Sequence, residues 1–373
     1  MAKKNIYKIS TLKDWFGSKT EGPLIIAGPC SAESEIQVLQ TAQKIAEISS
    51  VSIFRAGVWK PRTRPGNFEG AGSRALKWLQ KVQRETHLKV AVEVATPEHV
   101  KKCLDAGIDV LWIGARTTSN PFSVQQIAEA LNNCDVPVLI KNPINPDLDL
   151  WIGTIERIQQ AGINKIAAVH RGFYPFEKTS LRNIPKWEVA IELKTRIPDL
   201  PILCDPSHIA GHVDYIPEIA QKALDLAFDG LMIESHFSPK KALSDKEQQL
   251  NPDQLKALLS GLRYRCLSIN DHDFIDRLDT LRSKIDSIDY QLLELLLQRM
   301  NVVEEIGVYK SHNNVSIFQL RRWRQIIETR RNYGVKLGLN EDFIKVILQL
   351  IHDESIKKQT EVAYQKSKKS KKI

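Results

Sequence analysis

Cysteine is scarce in this chain: five residues in 373, at positions 30, 103, 134, 204 and 266. So few, odd in number and scattered, they exclude a disulfide framework and suit a reducing compartment. Long apolar runs are missing as well, none approaching the ~20 residues that a membrane span needs. Met1-Ala2-Lys3-Lys4-Asn5 leads into no apolar stretch. No secretory signal is read there, and a cytoplasmic location is expected. Acidic residues are in deficit, 44 against 53 Lys and Arg, for a net charge of +9. That excess could suggest nucleic acid, but its distribution argues otherwise. The last eight residues hold five lysines and no acid, so the body carries only about +4. Residues 363–373 read as a disordered, solvated Lys-rich tail. A nucleic-acid reading of that tail predicts steeply salt-dependent binding that disappears without Lys366–Lys372. A mild basic excess spread through the body fits anionic small substrates better, with no nucleic-acid or membrane partner.

What is present is an alternation of short apolar runs with amphipathic stretches. Eight runs occur in about 260 residues: Leu24–Ala27, Ser52–Arg55, Val90–Val94, Val110–Ile113, Val138–Ile140, Ile166–Val169, Ile202–Cys204 and Leu231–Ile233. They lack in/out alternation, as strands buried on both faces should. Between them lie helical segments such as Ser34–Ile48, Arg74–Arg84, Val124–Leu131 and Asp214–Ala227. Several end in glycine just before the next run, which is helix C-cap chemistry. The pattern predicts an α/β fold, a (β/α)8 TIM barrel over 1–262, with a doubly wound open sheet as the alternative.

Nearly every run ends in a charged or metal-capable residue: Cys30, Arg55 with Lys60, Glu93, Arg116, Lys141, His170-Arg171, Asp205 with His208, and Glu234. In a closed parallel barrel these ends meet at one face, where barrel active sites sit. Arg55, Lys60, Arg62, Arg64, Arg116, Lys141 and Arg171 would repel one another there unless a multiply charged anion joined them. Guanidinium forks suit phosphate and carboxylate oxygens. The simplest guests are therefore phosphorylated, carboxylated metabolites. Cys30, His208, Glu234 and Asp245 add thiolate, imidazole and carboxylates, a mixed donor set for a divalent ion.

Six motifs occur in order: Gly28-Pro29-Cys30-Ser31-Ala32-Glu33-Ser34, Lys60-Pro61-Arg62-Thr63, Ile113-Gly114-Ala115-Arg116, Arg171-Gly172, Asp205-Pro206-Ser207-His208 and Ala242-Leu243-Ser244-Asp245. Together they resemble 3-deoxy-D-arabino-heptulosonate-7-phosphate (DAHP) synthase, in the branch that also holds the octulosonate-phosphate synthases. Lys-Pro-Arg-Thr is the mark of the DAHP enzymes within it. The resemblance implies condensation of phosphoenolpyruvate with erythrose 4-phosphate. It assigns Cys30, His208, Glu234 and Asp245 to a divalent metal ion, Mn²⁺ first, with Fe²⁺, Co²⁺ or Zn²⁺ as alternatives. It assigns Arg116, Lys141 and Arg171 to the phosphoenolpyruvate phosphate, and Arg55 and Lys60 to its carboxylate. Lys60 also becomes the catalytic proton donor. Arg62 and Thr63 go to the erythrose 4-phosphate phosphate, and Asp205 to a sugar hydroxyl. One departure stands after the fifth run, where Asn142-Pro143 follows Lys141 in place of Arg-Gly.

From Asp273 the pattern changes. Phe274, Leu278, Leu281, Ile285, Ile288, Leu292, Leu295, Leu296, Val302, Val303 and Ile306 recur at helical spacing and predict one helix from about Asp273 to Ser311. Two shorter helices follow, near Ile317–Tyr333 and Glu341–Gln365. An all-α three-helix domain over 273–362 is expected, after a linker at 263–272. So long a helix cannot bury its apolar face against itself, which predicts a homodimer through this domain. Arg299 and Lys310, eleven residues apart, share a face, as do Ser355 and Gln359. Arg282 lies 17 residues before Arg299, about 25 Å along the axis, so one small ligand reaches both only if a partner chain supplies one.

Leu281 through Asp289, Arg299, Gly307-Val308-Tyr309-Lys310, Arg322 and Asp353 through Gln359 resemble the all-helical chorismate mutases. The resemblance implies that Arg282 (from the partner), Arg299 and Arg322 hold carboxylates. Lys310 and Gln359, the catalytic pair, face the ether oxygen, and Ser355 lines the site. Gln319 and Trp323 stand where acidic groups are expected. The joint reading is a bifunctional synthase and mutase whose second domain also feedback-regulates the first. The alternative keeps the synthase and makes the helical domain a non-catalytic regulatory and dimerisation module.

Overall fold

The computed structural model describes residues 9–16, 22–60, 66, 68–176, 179–264 and 272–370. Eight parallel strands follow one another around a closed barrel: β1 (Leu24–Gly28), β2 (Val51–Arg55), β3 (Lys89–Val94), β4 (Val110–Ile113), β5 (Val138–Lys141), β6 (Ile166–His170), β7 (Ile202–Cys204) and β8 (Gly230–Glu234). β8 pairs with β1 from Leu24↔Gly230 to Gly28↔Glu234, which rules out the open sheet. The α-helices of this part of the chain are α1 (Leu12–Phe16) before β1, then α2 (Glu35–Ala46), α3 (Arg74–Thr86), α4 (Pro97–Asp105), α5 (Ala115–Thr118), α6 (Pro121–Ala130), α7 (Leu148–Gln160), α8 (Trp187–Arg196), α9 (Pro206–Ala210) and α10 (Ile216–Asp225), and α11 (Pro252–Gly261) after β8.

The unbroken apolar runs have a simple cause: every strand is buried on both faces. In β4, Val110 and Trp112 point into the barrel, while Leu111 and Ile113 pack against the helices. The interior layer also holds Ile26, Ile53, Ala91, Leu139, Val169, Leu203 and Met232, and Trp15 of α1 joins it. The barrel is thus a filled core, and chemistry is confined to its rims. Gly28 ends β1 at φ +150°, and a Cβ there would lie 2.1 Å from the Arg55 carbonyl oxygen. No side chain fits at that point, where β1 hands over to the Cys30 loop.

The chain divides into two compact units, Met1–Leu267 and Ser268–Ile373. The second is all helical: α12 (His272–His312), α13 (Leu320–Lys336) and α14 (Glu341–Ser370). α12 and α14 pack against each other, and α13 against α14. Gly307 permits the first contact, since a Cβ there would already sit 3.2 Å from Gln359 Cα. Gly334 permits the second, against Ile344. The Lys-rich end was expected to be disordered from 363, yet α14 continues as helix through Ser370. Thr360 to Tyr364 hold no proline or glycine to stop it. No described helix is long and apolar enough to cross a membrane.

Candidate active sites

The C-terminal ends of β1, β2, β5, β7 and β8 bring the first site together. Cys30 follows β1, and its Sγ donates to Asp245 Oδ2 at 3.2 Å. Glu234 closes β8 with its side chain fully buried. The donor atoms of Cys30, Glu234 and Asp245 all lie within 4.8 Å of one another. His208 sits on α9, whose N-cap is Asp205. Its Nε2 lies 3.7 Å from Glu234 Oε1, while its Nδ1 is 2.7 Å from Asp205 Oδ2. The Nδ1–Asp205 contact is a close ion-pair distance without hydrogen-bond geometry, and Nε2 is the ring nitrogen that faces Glu234. Burial lowers the His208 pKa against the pull of Asp205.

The electrostatics fit a cation. Burial first, then Glu234, pushes the Cys30 thiol up to about 12. Glu234 Oε1 accepts no hydrogen bond, although Arg55 Nη2 lies 3.1 Å away. Burial opposes the Glu234 charge, yet His208 and Arg55 hold its carboxyl below the usual range. Asp245 is lowered too, against its burial, by Arg182 and then His208. A thiol that cannot ionise alone, beside two carboxylates that stay charged, is what a divalent cation would complete in exchange for the thiol proton.

The cations line the same mouth. Arg55 is buried, with its guanidinium 4.9 Å above the Trp112 ring, and Lys141 Nζ lies 6.0 Å from that ring. Burial works against the Arg55 charge, but Glu234 and Asp205 outweigh it and hold its pKa above the ordinary value. Lys60 Nζ donates to the Cys30 carbonyl at 3.1 Å. Burial lowers the Lys141 pKa despite its 2.6 Å ion pair with Asp205. Arg171 donates to Asn183 Oδ1 at 2.8 Å. Its pKa is lowered to about 10 by burial, with Arg182 and Arg116 as charged neighbours against it. Such a like-charge group is a site for an anion.

Asp205 is buried; its carboxylate pairs with Lys141 Nζ at 2.6 Å, lies 2.7 Å from His208 Nδ1 and accepts the His208 backbone N–H. One strand-end residue does not face the mouth. His170 at the end of β6 turns away from the mouth, among Trp151, Phe173, Trp187 and Phe228. Burial lowers its pKa to about 3. Arg62, Thr63 and Arg64 lie outside the described residues.

The structure also shows residues that the sequence reading missed. Buried Asn142 accepts the Arg171 N–H at 2.7 Å and donates to the Gly172 carbonyl at 2.9 Å. The Asn-Pro departure after Lys141 therefore ties β5 to β6 at Arg171. Arg182, Gln248 and Gln249 reach the carboxylates and Cys30 from other loops. Neutral amides in a loop carry no sequence signal of burial.

In the helical unit, Arg299 Nη1 donates to Ser355 Oγ at 2.7 Å, joining α12 to α14. One turn beyond Ser355, Gln359 is buried with its Oε1 unpartnered. Lys310 Nζ donates to the Ile317 carbonyl at 2.6 Å, and burial lowers its pKa. Arg299, Lys310, Ser355 and Gln359 thus stand along the α12–α14 seam. Arg322 and Arg282 do not join them. Arg322 is exposed and donates to Gln325, and Arg282 is exposed and pairs with Asp279 on its own helix. Trp323 stacks on His352 with centroids 3.8 Å apart, so this position offers a flat aromatic surface. Gln319 is exposed at the start of α13.

The family model described as the DAHP synthetase I family matches residues 8–264. The chain belongs to this family. A second model, chorismate mutase type II, matches residues 281–360, so a DAHP synthase barrel is fused to a mutase domain. The DAHP synthase part is 32% identical over 239 residues to phospho-2-dehydro-3-deoxyheptonate aldolase of Thermotoga maritima, across 64% of this chain and 68% of that one. It is 26% identical to 2-dehydro-3-deoxyphosphooctonate aldolase of Geobacter sulfurreducens, across 64% of this chain and 91% of the relative. A crystal structure of DAHP synthase from Thermotoga maritima superposes with a TM-score of 0.57 at 30% identity, covering 64% of this chain and 67% of that one. The protein is a bifunctional enzyme, a transferase in its DAHP synthase unit and an isomerase in its mutase unit.

Proposed function

We propose that the barrel condenses phosphoenolpyruvate with erythrose 4-phosphate to give DAHP and phosphate, and that the helical unit converts chorismate to prephenate. The observation that carries the first half is the convergence of Cys30, Glu234 and Asp245, with His208 Nε2 3.7 Å from Glu234, beside Arg55, Lys60, Lys141 and Arg171. Arg116, Lys141 and Arg171 hold the phosphoenolpyruvate phosphate, and Arg55 and Lys60 its carboxylate. Arg62 and Thr63 hold the phosphate of the aldose. Cys30, His208, Glu234 and Asp245 would hold a divalent ion, Mn²⁺ first among the candidates. When bound, such an ion would supply Lewis-acid activation of the aldehyde. C3 of phosphoenolpyruvate then bonds to the aldehyde carbon, and Lys60 gives a proton to the oxygen that gains charge. Water adds at C2, and phosphate leaves with the C2 oxygen. Burial would favour a neutral lysine, but Cys30, Glu93 and Glu234 hold the Lys60 pKa above its ordinary value, so it carries the proton to be donated.

In the helical unit, Arg299, Arg322 and the partner's copy of position 282 hold the two carboxylates. Lys310 and Gln359 donate to the ether oxygen, and Ser355 lines the pocket. A second copy of the chain supplies position 282 in this reading, because Arg282 stands about 25 Å along α12 from Arg299. The exposed stripe Leu281, Ile285, Ile288, Leu292, Leu295 and Val302, at heptad spacing, offers the surface for it.

Purified chain given phosphoenolpyruvate and erythrose 4-phosphate should release phosphate, and given chorismate should form prephenate. Lys60→Ala should abolish the first and spare the second. Phosphate release at the normal rate from Lys60→Ala would remove its proton-donor role.

Feedback belongs to the same reading. Prephenate bound in the helical unit should inhibit the condensation, and linkage requires phosphoenolpyruvate or erythrose 4-phosphate to alter prephenate affinity by the same factor. Titrating prephenate against condensation in the full chain and in a chain ending at Gly261 checks this. Equal inhibition of both would place the effector site in the barrel, and inhibition of neither would remove the regulation.

A further inference from the structure

The loop after β8 carries two adjacent glutamines, Gln248 and Gln249, each 1% exposed. Gln248 Nε2 donates to Glu234 Oε2 at 2.7 Å, and its Oε1 accepts from Arg182 Nη1 at 2.5 Å. Arg182 Nη1 also lies 3.2 Å from Asp245 Oδ1. These partners set the amide's orientation. Reversed, it would place NH₂ against a guanidinium and oxygen against a carboxylate. Gln249 Oε1 accepts the Cys30 N–H at 2.9 Å, and its Nε2 donates to the Ser244 carbonyl at 2.8 Å. Arg182 arrives from the segment after β6, which packs closely enough that a Cβ on Gly211 would lie 2.5 Å from Arg182 Cβ.

Each carboxylate is left with one oxygen for the cluster. Glu234 Oε2 is taken by Gln248, and Oε1 faces Arg55 and His208. Asp245 Oδ1 is taken by Arg182, and Oδ2 faces Cys30 Sγ. We infer that Gln248, held by Arg182, is a positioning residue that presents Glu234 and Asp245 through one oxygen each and so sets the affinity and coordination of the divalent cation. This rests on the metal reading of the barrel mouth. A neutral amide suits the task. A carboxylate at 248 would repel Glu234, and a lysine there would cancel part of the charge that binds the ion.

The test compares Gln248→Met and Arg182→Met with the wild-type full chain. Mn²⁺ affinity is read from the free-ion paramagnetic resonance signal, and coordination from the absorption of the Co²⁺-loaded protein. Thermal melting of the metal-free protein and chorismate turnover serve as controls. Both variants are expected to weaken Mn²⁺ binding ~10–100-fold. They should change the Co²⁺ d–d bands while keeping the near-ultraviolet band of a Cys30–Co²⁺ thiolate. Metal-free melting and chorismate turnover should stay as in the wild type. If Gln248→Met does not fold, Arg182→Met carries the same test. Unchanged Mn²⁺ affinity and an unchanged Co²⁺ spectrum would overturn the proposal, as would a fall in metal-free melting parallel to the loss of affinity. A wild-type chain that binds no Mn²⁺ would remove the metal site itself, an outcome distinct from wild-type affinity in the variants.

Discussion

EDTA should abolish the condensation, added Mn²⁺ should restore it, and chorismate turnover should not change in either condition. Without a cation, the barrel mouth holds a thiol pushed up to about 12, beside two carboxylates kept charged by Arg55, Arg182 and His208. Aldehyde activation then has no strong electrophile. Lewis-acid stabilisation of the developing oxyanion is worth several kcal/mol, so its loss should slow the step by roughly 10³-fold or more. Cys30→Ala removes one of four donors and should reproduce the loss at ordinary metal concentrations. The Arg299, Lys310, Ser355 and Gln359 group contains no thiol or carboxylate, so the second activity has no reason to follow. The measurement is phosphate release and prephenate formation on one preparation, before and after chelation. Full condensation by rigorously metal-free Cys30→Ala would end the metal assignment.

The second large effect belongs to the helical unit. Lys310→Ala should slow the rearrangement ~10²–10³-fold, because one of two donors aimed at the developing ether oxyanion is lost. Gln359→Leu should act in the same direction. Its amide is buried, packed on Gly307 of α12, and keeps a polar atom without a partner. An orphaned buried polar atom is costly unless a ligand satisfies it. Lys310 bonds to the Ile317 carbonyl without substrate, a contact that a bound ligand can replace. Both variants should leave phosphate release intact. The loss of chorismate absorbance over time reports the effect, and normal turnover by Lys310→Ala would remove that residue from the site.

Much of the barrel was legible because its physics is local and repetitive. Strands buried on both faces must be apolar throughout, and the eight runs in the sequence match β1–β8 to within a few residues. Strand-end residues were legible as site candidates because a closed parallel barrel has one rim at which all C-termini meet. His170 shows the limit of that rule. Its neighbour Arg171 turns towards Asn183, while His170 turns towards Trp187 and Phe228. Successive residues of a strand face opposite sides, and the sequence does not say which of the two the rim receives. The long helix was legible from its period, with bounds one residue wider at each end than expected. Gln319 and Trp323 were visible as departures, but the stacking of Trp323 on His352, 29 residues on, was not.

The sequence by itself determined the two units, the alternation of strand and helix, and the types of side chain gathered at the rim. Those follow from burial periodicity and from charge, which each residue carries wherever it is placed. Only the tertiary structure decided how those side chains are used. Cys30 and Asp245 are 215 residues apart, and Glu234 reaches His208 only because β8 lies beside β7 and closes on β1. Asp205 is spent on Lys141 and His208 because α9 folds its N-terminus back over that carboxylate. Gln248 and Gln249 acquire meaning solely from their neighbours. A neutral amide has no charge, period or spacing to mark it, and its role is set by which donor and acceptor the fold places at each end.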